Sequence, residues 1–206
     1  MAFSFVGVVL YNQCSEITSY LTFNASTLVT AMTSHLDLIR DFVNTFDLEQ
    51  SADRIATRDE LAAWYSEYGL VDDLVEPTRQ EHADALAVRE AIRQLLLANN
   101  GCVDDAEAAS ATLEAAGRKT RIGIRFTAGK PELAPESDGA SAALGQIVAA
   151  VAELATTPEW PRLKACRDAN CQVVFYDQSR NRSRAWCSME VCGNREKARS
   201  FRVRHQ

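Results

Sequence analysis

Four cysteines near the C-terminus constrain this chain more than any other feature. Cys166, Cys171, Cys187 and Cys192 are spaced C-x4-C-x15-C-x4-C. Two close pairs separated by a short span can bring four thiolates to about 2.3 Å from one ion, as a tetrahedral zinc site requires. Four thiolates leave no open position for water, so Zn2+ in such a site holds shape and does no chemistry. The surrounding segment is too short to bury much of a core. The metal is therefore expected to supply its stability, roughly 10–16 kcal/mol in small fingers.

Charge is segregated along the chain. From Pro161 to Gln206 there are 11 Lys and Arg against 4 Asp and Glu, a net +7. The remainder has 11 against 24, a net −13, so the overall −6 does not argue against an anionic partner. A basic tail of this kind is the electrostatic footprint of nucleic-acid binding. Six cysteines without a secretory signal point to a reducing compartment, hence the cytoplasm. Phe3 to Tyr11 is apolar but too short to span a membrane. It also lacks a positive leading region, because the first basic residue is Arg40. Residues 1–31 read as an extension, and Met32 as an alternative start. Cys14 and Cys102 have no nearby partner in sequence and read as free thiols.

From residue 35 the pattern is helical. Leu36, Ile39, Phe42, Val43 and Phe46 fall on one face. Thr57-Arg-Asp-Glu60 and Thr78-Arg-Gln-Glu81 are capping boxes. The first opens a helix carrying Leu61, Trp64 and Tyr65 and stopped by Gly69. The second opens a long helix with Leu86, Ile92, Leu95 and Leu96 inward, ending at Asn99-Asn100-Gly101. Asp104 caps a further helix to Gly117. Ile122, Ile124 and Phe126 alternate as in a strand; Gly129-Lys130-Pro131 turns it, and 132–134 returns. A last helix from about Ser141 carries Leu144, Ile147, Val148, Val151 and Leu154. The boundary is expected at Thr156-Thr157-Pro158, where composition turns basic and Cys-rich.

The expected fold is therefore mainly α with a small β-hairpin. A helical domain spans 32–157, and a treble-clef-like four-cysteine finger spans 158–206. Within the finger, Gln172 to Tyr176 reads as a strand returned by Arg184-Ala185-Trp186. The first cysteine pair then precedes this hairpin, and the second lies between it and a helix from Arg195 to about Arg204.

These residues resemble a known family. Cys192-Gly193-Asn194-Arg195 is similar to the CGNR zinc finger of bacterial proteins. Asp177-Gln-Ser179-Arg180-Asn181, Arg184-Ala-Trp186-Cys187-Ser188-Met189 and Lys197-Ala198-Arg199 extend the likeness. Arg40-Asp41-Phe42-Val43-Asn44-Thr45 resembles the "LDFVNT" signature that opens the ABATE domain, with Arg40 where the signature has leucine. The resemblance covers about residues 36–206. It implies a stress-induced transcription regulator, and with it DNA binding.

Arg195, Arg199 and Arg202 lie four and three apart, so one helical face would carry three guanidiniums. Lys197 falls on another stripe, and Arg180, Arg182 and Arg184 alternate through the preceding turn. A guanidinium bonds two phosphate oxygens at once. These seven cations are the DNA contact, a solvated basic face, or a basic face docked on the acidic domain. Ala198 and Phe201 are expected to pack on the hairpin. Trp186 reads as core or as a stacking platform, and Asp177 as a turn-capping group. In the helical domain Asp41, Asn44 and Arg89, with Thr45 and Arg54, could line a pocket for a small-molecule or protein signal, or serve as caps and ion pairs. No nucleophile–base pair or glycine-rich phosphate loop stands out, so no enzyme is expected. A homodimer would double the contacts of one small finger. The alternative is a protein- or RNA-binding scaffold.

Overall fold

Ser34 begins the described chain by capping α1 (His35–Val43), its hydroxyl accepting the Asp37 N–H. The computed structural model describes residues 34–71, 75–102 and 106–205, all within one compact unit, 32–206. The extension, the start at Met32, Cys14 and the cap at Asp104 lie outside the described residues.

Both capping boxes form. Thr57 opens α2 (Arg58–Glu67) and Thr78 opens α3 (Arg79–Asn99), each with its glutamate reaching back to the cap N–H at 2.8 Å. The α1 face stops short of Phe46, which starts a two-residue strand, β1 (Phe46–Asp47), paired with β2 (Ala52–Asp53). The α3 core face is carried by Ala85, Val88, Ile92 and Leu96, while Leu86 and Leu95 are only half-buried. α4 (Ala106–Lys119) packs on α3 and runs two residues past Gly117.

The hairpin β3 (Ile122–Thr127) and β4 (Lys130–Pro135) turns at Ala128-Gly129, earlier than the sequence suggests. Both turn residues have positive φ, 50° and 80°, the backbone of a type I′ hairpin turn. Lys130 and Pro131 thus belong to the strand. α5 (Gly139–Ala155) is the central helix. Its Ala143, Leu144, Ile147 and Val151 meet Ile39, Phe42 and Val43 of α1 and Ile92 and Leu96 of α3 in the main core. Gly145 lets α5 approach β4 closely: a Cβ there would stand 2.7 Å from Pro135 Cβ.

Beyond α5 the chain returns onto the helices. A single 3-10 turn at Trp160–Arg162 leads into β5 (Leu163–Ala165), which pairs with β6 (Val174–Tyr176). This corrects the expected pairing, since residues 184–186 form no strand. Leu163, Ala165 and Val174 are buried in the main core, and that burial selects Leu163–Ala165 as partner. The first cysteine pair therefore lies in the loop between β5 and β6 and does not precede the hairpin. The chain ends in α6 (Asn194–Arg204), close to the expected span. No described helix is long and apolar enough to cross a membrane.

Candidate metal centre and basic helix

The four cysteines converge. All four sulfurs lie within 4.8 Å of one another, with Cys171 to Cys187 at 3.5 Å and Cys187 to Cys192 at 3.7 Å. Thiolates at zinc–sulfur distance on a tetrahedron stand about 3.8 Å apart, so the donor set fits Zn2+ in a closed four-sulfur site. Cys166, Cys171 and Cys192 are buried and Cys187 is partly so.

Local backbone explains the convergence. The Cys166 N–H bonds Val173 O at 3.0 Å, closing the β5–β6 loop. Asp168 O accepts from Cys171 N at 2.8 Å and Gln172 N at 3.1 Å, folding the loop back on itself. On the other side, Met189–Gly193 forms a π-type turn that delivers Cys192 at the head of α6. Met189 folds over Gly193, where a Cβ would stand 2.5 Å from its Sδ, so a larger residue there would push the methionine aside. Asn194 Nδ2 donates to Glu190 O at 2.9 Å and tightens the turn.

The thiols respond to this crowding. The sulfur hydrogen bond from Cys171 holds the Cys166 thiol down to about 5 against burial, helped by the N–H groups of Cys187 and Asp168. The same bond and burial push Cys171 far up. Burial pushes Cys192 up to about 12. Packed thiols cannot all ionise side by side without a cation, whereas a divalent ion would favour all four thiolates.

Asp177 organises the loop after β6. Burial alone would raise its carboxyl. The Lys164 ammonium at 2.8 Å, with Ser179 and the Arg184 N–H, outweighs burial and holds it well below the usual range. Lys164 also donates to Arg182 O at 2.7 Å and Arg184 O at 3.3 Å. This buried ion pair shapes the 177–184 loop. Trp186 is half-buried against the cysteine cluster.

The seven candidate cations divide into three groups. Arg184 wraps the cysteine loop: its guanidinium sits 4.9 Å over the Phe175 ring and donates to Trp186 O and Cys187 O. Arg195 and Arg199 face carboxylates. Arg195 bonds Glu49 at 2.9 and 3.0 Å and lies 3.5 Å from Asp168. Arg199 bonds Glu196 at 2.8 Å and lies 3.8 Å from Asp168. The Asp168 side chain is 2% exposed and its Oδ2 accepts no hydrogen bond, so the two arginines supply its countercharge. Arg180, Arg182, Lys197 and Arg202 are exposed and have no carboxylate partner among the described residues.

α6 has no buried residue. The expected packing of Ala198 and Phe201 on the hairpin does not form. Phe201 is 57% exposed and stacks on His205 at 4.1 Å. The helix is held at its head by Cys192 and Arg195 and one turn further on by the contact of Arg199 with Asp168, and nothing described holds it beyond that.

Asp41, Asn44 and Arg89 are each engaged with different partners within the fold. Asn44 pairs with β6 as a strand would, giving Nδ2 to Val174 O at 3.0 Å and taking Val174 N at 2.8 Å. Arg89 is buried in a two-point pair with Asp53, at 2.7 and 2.9 Å, and bonds Thr45 Oγ1. Asp41 accepts from Arg40 and the Tyr68 hydroxyl. Arg54 pairs with Glu67 at the surface. A cavity of about 570 Å3 opens elsewhere, between Leu70, Val71, Asp138 and Gln146.

Sequence reading missed the residues that join the two parts. Arg93, 1% exposed, donates to Val43 O, Phe46 O and Gln172 O. Asn99 reaches Trp160 O and Leu163 O, and Asn100 reaches Ala165 O and Ala185 O. A paired Asn99-Asn100 read as a helix stop hides this bridging role, and Arg93 stands in an apolar helix face with no other warning.

Two protein-family models match the chain. Residues 162–205 match the CGNR zinc finger. Residues 36–158 match ABATE, described as "Putative stress-induced transcription regulator". No curated protein matches the chain.

Proposed function

The chain belongs to the ABATE family, and from that premise we propose that it is a cytoplasmic, DNA-binding transcription regulator. The observation that carries this reading is α6: eleven residues of helix with none buried, set at the edge of a four-cysteine centre. A helix that covers no core is available to a partner, and an α-helix fits the major groove of B-DNA. Lys197, Arg202 and Arg204 on α6 and Arg180 and Arg182 on the neighbouring loop supply phosphate contacts. Zn2+ bound by Cys166, Cys171, Cys187 and Cys192 ties the β5–β6 loop to the head of α6 and so sets the helix angle. The helical domain carries the signal, because its Glu49 holds Arg195 of α6.

The test is duplex affinity of the zinc-loaded protein for its own upstream DNA against random DNA, over a salt series. With about four to six phosphate contacts, log K falls against log salt with a slope of roughly −4 to −5. Lys197→Ala should reduce that slope by about one without releasing zinc. A steep slope with no sequence preference would mean generic nucleic-acid binding. No binding at low salt would sink the reading in favour of a protein partner.

A further inference from the structure

The two edges of the β3–β4 hairpin are treated differently. On the outer edge of β4, Pro131 and Pro135 have no N–H to offer, and the Leu133 N–H is taken by Glu153 Oε1 at 2.9 Å. Prolines and a capped donor are how natural sheets close an edge. These three residues pair with Phe126, Ile122 and Ile124. Hydrogen-bonding positions alternate along an antiparallel pair, so the N–H and C=O groups of Ile122, Ile124 and Phe126 point away from β4. They meet no other strand among the described residues. The same strand leaves Ile124 69% and Phe126 70% exposed. One edge is blocked at every position and the other is open and apolar.

We propose that β3 is a self-association surface, pairing antiparallel with β3 of a second copy about a two-fold axis at Ile124. The result is a four-stranded sheet, β4-β3-β3-β4. Charge selects both the occupant and the register. Outward groups meet outward groups only when the axis passes through a residue. An axis at Gly123 would set Arg125 against Arg121 of the other copy, and an axis at Arg125 would set it against itself. With the axis at Ile124, Arg125 falls opposite Gly123. There the chain holds a carboxylate: Glu136 Oε1 lies 2.9 Å from where a Cβ on Gly123 would stand. Directly opposed residues share a face of the sheet with Cβ positions about 5 Å apart, so each Arg125, which faces Glu132 across its own hairpin, also comes within reach of Glu136 of the other copy. Neither side chain has an ion-pair partner among the described residues of its own chain. Phe126 falls opposite Ile122, an aromatic–branched pair of the kind that stabilises sheets. The register supplies about six backbone hydrogen bonds. The strip is short, so the dimer is reversible and forms at micromolar concentration.

Sedimentation of the full zinc-loaded chain without DNA, over a concentration series reaching hundreds of micromolar, tests this independently of the proposed function. The wild type should dimerise. Ile124→Lys, which places two ammoniums at the axis, should leave a monomer with unchanged circular dichroism and melting. Arg125→Glu should weaken association at least about tenfold by opposing Glu136, and Arg125→Glu with Glu136→Arg should recover most of it. A monomer throughout overturns the proposal. So does a dimer that Ile124→Lys leaves intact, or a charge-swapped double variant no tighter than Arg125→Glu.

Discussion

At the scale of single residues, buried charge is placed where the chain must take a definite course. Lys164 and Asp177 are 6% and 0% exposed, and their pair fixes the loop from 177 to 184. Lys164→Met would leave a buried carboxylate without its cation, a change that costs about 3–5 kcal/mol when a buried pair loses one partner. Urea unfolding of the zinc-loaded variant should show that loss with zinc stoichiometry unchanged. Asp53 gives a pH signature. Burial raises its carboxyl, but the Arg89 hydrogen bonds, the Ile55 N–H and nearby positive charge outweigh burial and lower it. A carboxyl lowered in the folded state stabilises above its unfolded value of about 4, and the gain disappears as pH falls towards the folded value. The stability gap between wild type and Asp53→Asn should therefore be constant from neutral pH to about 5 and close below about 4. A gap that persisted undiminished at low pH would show that shape, not charge, is what Asp53 contributes.

At the scale of elements, close approach decides as much as hydrophobic pattern does. The contact between α5 and the β3–β4 hairpin depends on Gly145, where a Cβ would stand 2.7 Å from Pro135 Cβ and 3.0 Å from Thr120 Cβ. Helix propensity alone makes Gly145→Ala stabilising by up to about 1 kcal/mol. Overpacking costs about 1–3 kcal/mol and should win here, because a proline ring and a buried threonine cannot move aside. Thermal unfolding should thus show a net loss. The capping boxes at Thr57 and Thr78 were legible in sequence because they are local: each needs a hydroxyl and a carboxylate three residues apart. The cysteine centre was legible because ligand spacing is a strong constraint. The β5–β6 pairing was not. Leu163–Ala165 and Arg184–Trp186 are both short candidates, and the choice rests on Leu163 and Ala165 reaching a core formed by distant helices. The roles of Asn44, Asn99 and Asn100 were hidden for the same reason, since their partners lie 61 to 130 residues away. Side chains in α6 misled because Phe201 looks like core by type, yet it lies where no core reaches.

At the scale of the whole molecule, the finger leans on the helices while its last helix does not, and zinc should act only where that support ends. Arg93, Asn44, Asn99 and Asn100 hold β5, β6 and the adjoining loops to the helical core. Chelation should therefore keep most of the helical signal and raise amide exchange in 166–172 and 186–205 alone. Loss of protection in α1 and α3 would show that the metal supports the whole unit. The remaining tie between α6 and the helical domain is Arg195 with Glu49, and it sets Glu49 in competition with DNA phosphate. Glu49 stands in a formed turn, because Asp47 Oδ1 accepts its N–H at 2.9 Å and that of Gln50 at 3.0 Å. The carboxylate is thus presented to Arg195, and its hydrogen bond raises the guanidinium's affinity for its proton. If α6 meets DNA as proposed, Glu49→Gln releases one cation. Affinity at low salt should rise, and the salt slope should steepen by about one. Arg195→Ala should then matter more in the Glu49→Gln background than in the wild type, a coupling that a double-mutant cycle measures. Equal effects in both backgrounds would mean that Arg195 never exchanges its carboxylate for a phosphate, and that a signal reaching Glu49 has no route to the duplex through this pair.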